Sequence, residues 1–200
     1  MNRSEFTPEP CVLASDRVTL RPLLISDAME FYTAGKYEEL WRWVQPNQCS
    51  SLAQSQSWIE QSLARQAEGQ HVPFVVLDNA SERVIGSTRF CSIRPEDRNI
   101  EIGFTFISPE FQRTHVNTHC KYLLLAQAFD VWGAVRVEFK THEKNLKSRN
   151  AIARLGAQFE GVLRNQRILP DGSLRNTALF SVTEQEWPGV KRALEVKMKR

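Results

Sequence analysis

Between Ile100 and Ala157 the chain sets out an apolar strand, a polar loop, a helix, a second strand and a helix opened by Asn145. The loop, Ser108-Pro-Glu-Phe-Gln-Arg-Thr-His-Val-Asn117, runs at once into the apolar helix Thr118 to Phe129. A helix start carries N–H groups without intrahelical acceptors and a partial positive charge, so a tight turn feeding into it suits an anion of phosphate size. Asn145 and Ser148, one turn apart on the later helix, offer an amide and a hydroxyl on one face to the reactive end of the same ligand. The loop has no glycine, the residue expected where backbone must approach a ligand closely.

The elements that must position these residues follow from periodicity. Residues 1–12 form a loose arm, and Arg17 to Pro22 alternates as a half-buried strand. Ser26-Asp27 starts a helix that stops near Gly35, and Leu40 to Trp43 is an aromatic segment before Pro46. Ser51 to Gln54 has capping-box spacing and opens a helix through Trp58, Ile59 and Leu63 to Gly69. A hairpin of 73–77 and 83–90 follows, then strand Asn99 to Ile107, the loop, and a helix over 118–132. Strand Arg136 to Thr141, helix Asn145 to Leu155, and strands 158–164 and 175–182 about the turn Pro170-Asp-Gly-Ser173 complete the order, before a short piece at Trp187. This alternation after an antiparallel beginning predicts one α/β (α+β) domain over 13–190. Its centre is a mixed, largely antiparallel twisted sheet of about six or seven strands with helices on both faces. Residues 191–200 are expected to be a basic tail.

Composition narrows the function classes. With 42% hydrophobic and 24% charged residues, 200 residues bury a core without covalent staples. A net charge of +3 with no basic run beyond Lys197-Met-Lys-Arg200 argues against nucleic acid as a partner. The four cysteines, Cys11, Cys49, Cys91 and Cys120, show no metal-ligand spacing and imply reduced, mostly buried thiols in a cytoplasmic protein without a metal. No stretch has the character of a signal peptide or of a membrane span.

In order, Ile100-Glu-Ile-Gly103, Ser108-Pro-Glu110, Gln112 to Asn117, Asn145-x-x-Ser148 and Leu155-Gly156 resemble the GNAT superfamily of acyl-CoA N-acyltransferases, and within it the branch similar to ribosomal-protein N-terminal acetyltransferases. Arg17 to Pro22, Ile85-Gly86 and the Asp171-Gly172 turn agree, so the resemblance spans about Leu13 to Trp187. It implies a GNAT-like fold, acetyl-CoA as co-substrate, and a cofactor site over Gln112, Arg113, Thr114, His115, Val116, Asn117 and Thr118. It also implies that strand 100–107 splays from strand 136–141, exposing backbone near Phe106 and Ile107 to the pantetheine arm and thioester. The family's loop pattern is Gln/Arg-x-x-Gly-x-Gly/Ala. Here Gln112 fits, His115 replaces the first glycine and Asn117 the second small residue.

Acetyl transfer to an amine needs a neutral amine, a held oxyanion and a protonated or stabilised leaving thiolate. For the base, Glu101 and Glu138 are the candidates on the two strands, and Glu101 alternates away from Ile100, Ile102, Phe104 and Phe106, toward either solvent or a cleft. Glu138, between Val137 and Phe139, has the setting of a structural carboxylate paired with an arginine. The resemblance gives Asn145 to the pantetheine arm, and a plain helix cap is the alternative. In many members of the family a tyrosine serves as general acid later in this helix; Ile152 stands there, and the resemblance to the ribosomal-protein branch gives the thiolate to the Ser148 hydroxyl. Arg113, Lys144, Lys147, Arg149, His115 and His119 are candidates for phosphate contact, while His71 and His142 lack partner spacing. Trp41 and Trp43 either line the acceptor channel or belong to the core.

The expected activity is direct transfer of acetyl from acetyl-CoA to a primary amine on a small molecule or a peptide or protein N-terminus. An α-amino group, with a pKa of about 7.7–8.0 against about 10.4 for lysine, asks least of the base. The alternatives are a catalytically weak GNAT-like protein that holds CoA or a peptide, and an interaction module whose tryptophans form an interface. A strand-and-hairpin edge near 158–182 would support a homodimer.

Overall fold

The computed structural model describes residues 6–44 and 46–199. Leu13–Ala14 (β1) and Val18–Pro22 (β2) lead through a 3-10 turn into helix Ala28–Gly35 (α1) and helix Leu52–Ala67 (α2), the latter capped by Ser51 accepting from Gln54 N. Strands Val72–Asp78 (β3), Val84–Arg94 (β4) and Asn99–Ile107 (β5) precede helix Val116–Ala126 (α3) with a π-helical turn over Gln127–Val131. Strand Arg136–His142 (β6), helix Leu146–Leu155 (α4), strands Gln158–Ile168 (β7) and Leu174–Thr183 (β8), and helix Trp187–Met198 (α5) follow. The sheet has the order β1-β2-β3-β4-β5-β6-β8-β7, antiparallel throughout except for β5 with β6. Mixed, largely antiparallel pairing and helices on both faces agree with the expectation. The strand count of six or seven is corrected to eight by the two-residue β1.

Two apolar layers sandwich the sheet. One holds Val18, Phe74, Ile100, Ile102 and Ile107 against Val116, Leu124, Ile152 and Leu194 of α3, α4 and α5. The other holds Phe31, Trp41, Ile59, Val75 and Phe106 on the side of α1 and α2. Phe6 is buried in the first layer, so part of the expected arm of 1–12 packs, while residues 1–5 lie outside those described. The expected tail from 191 is the second half of α5, because Leu194 and Val190 share a buried helical face. Of the five tryptophans, Trp41 and Trp187 are buried and Trp43, Trp58 and Trp132 half-buried.

The strict alternation expected along β5 fails at Phe104. Phe104 and Thr105 together face Thr88 of β4, a bulge in which Phe104 takes a φ of 50°. The bulge flips the parity, so Phe104 and Phe106 join Glu101 and Gly103 on the α1–α2 side, while Thr105 and Ile107 face α3. Gly86 of β4 is required beside it, since a Cβ there would stand 2.3 Å from the Phe106 carbonyl oxygen. Thr105 in turn accepts a 2.7 Å hydrogen bond from the buried Nζ of Lys121 on α3.

Candidate active site

Strands β5 and β6 pair as parallel neighbours only over Asn99–Glu101 with Arg136–Glu138. Beyond that point they part, as the resemblance implied, and the N–H and C=O groups of β5 that face β6 find no ladder partner there. The apex is fastened by charge. Glu138 Oε1 accepts from Arg94 NH2 at 2.9 Å and Arg136 Nε at 3.0 Å, and Oε2 accepts from Lys140 Nζ at 2.8 Å. Arg136 also grips Glu160 through two hydrogen bonds of 2.6 and 2.5 Å. Burial alone would raise the Glu138 carboxyl, but hydrogen bonds from Lys140 and Arg136, with the charges of Lys140 and Arg94, bring it down to about 2. Glu138 is structural, as its place between Val137 and Phe139 implied.

Glu101 stands on β5 at the same apex. Its Oε2 accepts from Lys140 Nζ at 2.9 Å and from Ser92 Oγ at 3.0 Å. Oε1 receives no hydrogen bond among the described residues and lies beside Gly103, where a Cβ would approach it to 3.2 Å. The carboxylate points into the α1–α2 side of the opening rather than into bulk solvent, with its side chain 13% exposed. Lys140 went unmarked by sequence reasoning; its signal was the alternation that sets Arg136, Glu138 and Lys140 on one face of β6.

At the wide end of the opening, Gln112 joins three elements. Its Nε2 donates to the Ile107 carbonyl at 2.8 Å, tying the loop to the end of β5. Its Oε1 accepts from Lys147 Nζ in the first turn of α4. The loop then turns at Arg113, with a φ of 60°, and His115 is already right-handed helical with a φ of −64°. Neither His115 nor Asn117, at the family's small-residue positions, takes a positive φ: the left-handed position is Arg113. Thr114 Oγ1 donates to Phe111 O at 2.7 Å, and the amide of Val116 reaches back to Thr114 Oγ1 at 3.3 Å. Among the described residues, no acceptor meets the amides of Arg113, Thr114, His115, Asn117 and Thr118, so a row of donors faces outward at the start of α3. The His115 ring turns inward to His119, 5.4 Å between centroids, and its Nε2 is buried without a partner among the described residues.

Asn145 caps α4, its Oδ1 accepting from Ser148 N at 3.1 Å. The cap uses the amide oxygen and leaves the amide nitrogen and the Ser148 hydroxyl without hydrogen bonds among the described residues. Ile152, where a tyrosine hydroxyl would stand, is buried in the core. The tryptophan pair divides. Trp41 is 3% exposed, donates from Nε1 to Gly35 O at 2.7 Å and packs 5.3 Å from Phe106. Trp43 instead packs tilted against His142 at the end of β6, 4.6 Å between centroids. Of the cationic candidates, Arg149 is engaged with the Glu143 carbonyl and the Phe159 ring, whereas Arg113 and Lys144 are exposed. No group of three or more His, Cys, Asp or Glu side chains among the described residues is placed to hold a metal.

A family model described as an acetyltransferase (GNAT) domain matches residues 17–158. The chain belongs to the GNAT acetyltransferase family. It is similar to a GCN5-related N-acetyltransferase from Brucella melitensis, with 30% identity and a TM-score of 0.89 over 96% of this chain and 87% of that one. It is 24% identical to the N-acetyltransferase YoaA of Bacillus subtilis (strain 168) over 86% of this chain and 97% of that protein. RimJ of Mycobacterium smegmatis, solved in complex with CoA-disulfide, shares the GNAT fold with a TM-score of 0.80, 20% identity, and 94% and 95% coverage. The GNAT match covers the parted strands, the loop and the α4 cap together.

The apex gives a test in solution. A carboxylate held below its unfolded value contributes stability that is full above about 4.5 and is lost as pH falls through about 2. Glu138→Gln leaves Arg94, Arg136 and Lys140 short of an anion and is expected to cost about 3–5 kcal/mol at pH 7. Urea unfolding of both proteins from pH 7 down to 2 should show the difference shrinking across that window. A constant difference would contradict this assignment.

Proposed function

We propose that this GNAT chain transfers acetyl from acetyl-CoA directly to a primary amine in the cytoplasm. The observation that carries the reading is the Gln112 side chain, which holds the end of β5, the outward row of amides and the first turn of α4 in one place. The amides of residues 113–118 suit the pyrophosphate, and the unpaired edge of β5 near Phe106 and Ile107 suits the amide-bearing pantetheine arm. In the reaction the amine nitrogen bonds to the thioester carbon, the C–S bond breaks, the nitrogen loses a proton and the thiolate takes one. Glu101, through its open Oε1 and a water, would accept the amine proton. The Ser148 hydroxyl would supply the thiolate's proton, with Asn145 placing it by capping the same turn.

An α-amino group on a peptide or protein terminus is the acceptor that asks least of such a base, and RimJ's likeness in fold is consistent with it. Trp43, beside His142 at the mouth, suits the acceptor side better than the buried Trp41. The hold of Lys140 and Ser92 on Glu101 favours a second reading, a weakly catalytic protein that retains CoA or a peptide. The edge strand β7, with Phe159, Val162 and Leu163 exposed, supports a homodimer; light scattering should then give twice the 23.0 kDa chain mass, and the monomer mass would refute it.

Thiol release from acetyl-CoA with peptides and small amines separates the two readings. Turnover is expected, with Ser148→Ala lowering kcat by roughly 10²-fold while CoA affinity by calorimetry holds. Binding of acetyl-CoA without release on any amine would leave only the second.

A further inference from the structure

Arg89 sits on β4 with its side chain on the α2 side of the sheet, and only 1% of it is exposed. NH1 meets His71 Nδ1 at 3.0 Å and NH2 donates to Ser62 Oγ at 3.0 Å. Its Nε is buried with no hydrogen-bond partner among the described residues. Beside the guanidinium lie the rings of Trp58 and Phe104, each with its centroid 4.7 Å from it and the two 5.7 Å from each other. An arginine can only donate, so His71 accepts at Nδ1 and carries its own proton on Nε2. Burial, with the charges of Arg89 and Arg65, pushes His71 down to about 4 and keeps it neutral.

None of these partners is an anion. Among the described residues, no carboxylate forms an ion pair with Arg89. The surroundings add positive charge instead, because Arg65 of α2 and Arg167 of β7 line the same cavity of about 120 Å³ with Trp58, Phe104 and His71. A desolvated cation without a counter-charge is held at a cost unless something else supplies the anion. The well-neutralised carboxylate Glu138 at the apex shows the contrast within one sheet.

We infer that this cavity binds an anionic group of the acceptor, a carboxylate or a phosphate, which completes the charge of Arg89 and is gripped from outside by Arg167 and Arg65. The inference rests on the proposed acetyl transfer for the word acceptor, and on the cavity alone for the anion. Placement supports the link. Phe104 is the bulge residue of β5, so the wall of the cavity belongs to the strand whose far end meets the cofactor loop. The cavity is also on the α1–α2 side, where Glu101 points. Trp58 and Phe104 supply apolar faces for the carbon skeleton that carries the anion and the amine.

Two measurements on the full chain test this. The first is thermal unfolding with sodium phosphate or sodium acetate against sodium chloride at equal ionic strength, all at saturating CoA so that the loop is filled. A rise in Tm specific to phosphate or acetate is expected, reduced in Arg167→Gln and in Arg89→Lys. Which salt gives the larger rise separates a phosphate from a carboxylate site. Arg167→Gln, an exposed position, keeps the test decisive where Arg89→Lys fails to fold. No rise beyond chloride, or an undiminished rise in Arg167→Gln, would overturn the inference.

The second measurement is thiol release with paired acceptors, an α-amino acid against its amide and phosphoethanolamine against ethanolamine. The acidic member of a pair should show at least a ten-fold higher kcat/KM, and Arg167→Gln should bring that ratio toward one. Equal use of both members overturns the acceptor assignment. Silence with every amine counts against the acetyl transfer itself, and the salt-specific rise in Tm then decides the cavity by itself.

Discussion

Two parallel strands joined at one end and parted at the other must leave backbone donors and acceptors unanswered along the gap. Here β5 and β6 share three paired positions and then separate, and the neighbouring features either fasten the joined end or dress the open one. At the joined end, Glu138, Lys140 and Glu101 form a chain of ion pairs that spans both strands, reinforced from β4 by Arg94. At the open end, Gln112 spans from β5 to α4. Unpaired backbone is tolerated in a structure only where solvent or a ligand answers it, so the gap is itself an argument for a ligand with amide groups of its own.

Buried charge is treated in three ways in and against this sheet. Glu138 receives hydrogen bonds from three cationic side chains and is lowered. Lys121, fully buried on α3, has only the hydroxyls of Thr105 and Thr88, and burial lowers it to about 8. Arg89 has a neutral imidazole, a hydroxyl and two rings. The first is closed on itself. Thr88 and Thr105 also bond each other at 2.8 Å, so Lys121 completes a small internal network. Arg89 differs from both, since it lines a cavity shared with two more arginines.

Periodicity was a good guide to the elements whose two faces differ in polarity. The hairpin of β3 and β4, the Ser51 cap and the Asn145 cap lie where the sequence put them. What escaped it depends on contacts between distant residues. Nothing local marks Phe104 as left-handed, because the strain is imposed by pairing with β4, and the parity of every later residue on β5 follows from it. His115 stands at a glycine position of the family pattern, yet the structure moves the left-handed turn to Arg113. Arg89 is the sharpest case: its lack of a carboxylate appears only when α2, β5 and β7 surround it. Trp41 and Trp43 show the reverse problem, two similar residues at short spacing of which tertiary packing sends one to the core and the other to the His142 ring.

The account stands on one claim, that the parted strands and the amide row at 113–118 form one ligand site for coenzyme A. Amide hydrogen exchange with and without CoA tests it most directly. The account predicts slowed exchange in segments 102–108 and 113–118 together, with β1 and the β7–β8 turn unaffected. Protection confined to one of those two segments, or to neither, would contradict it.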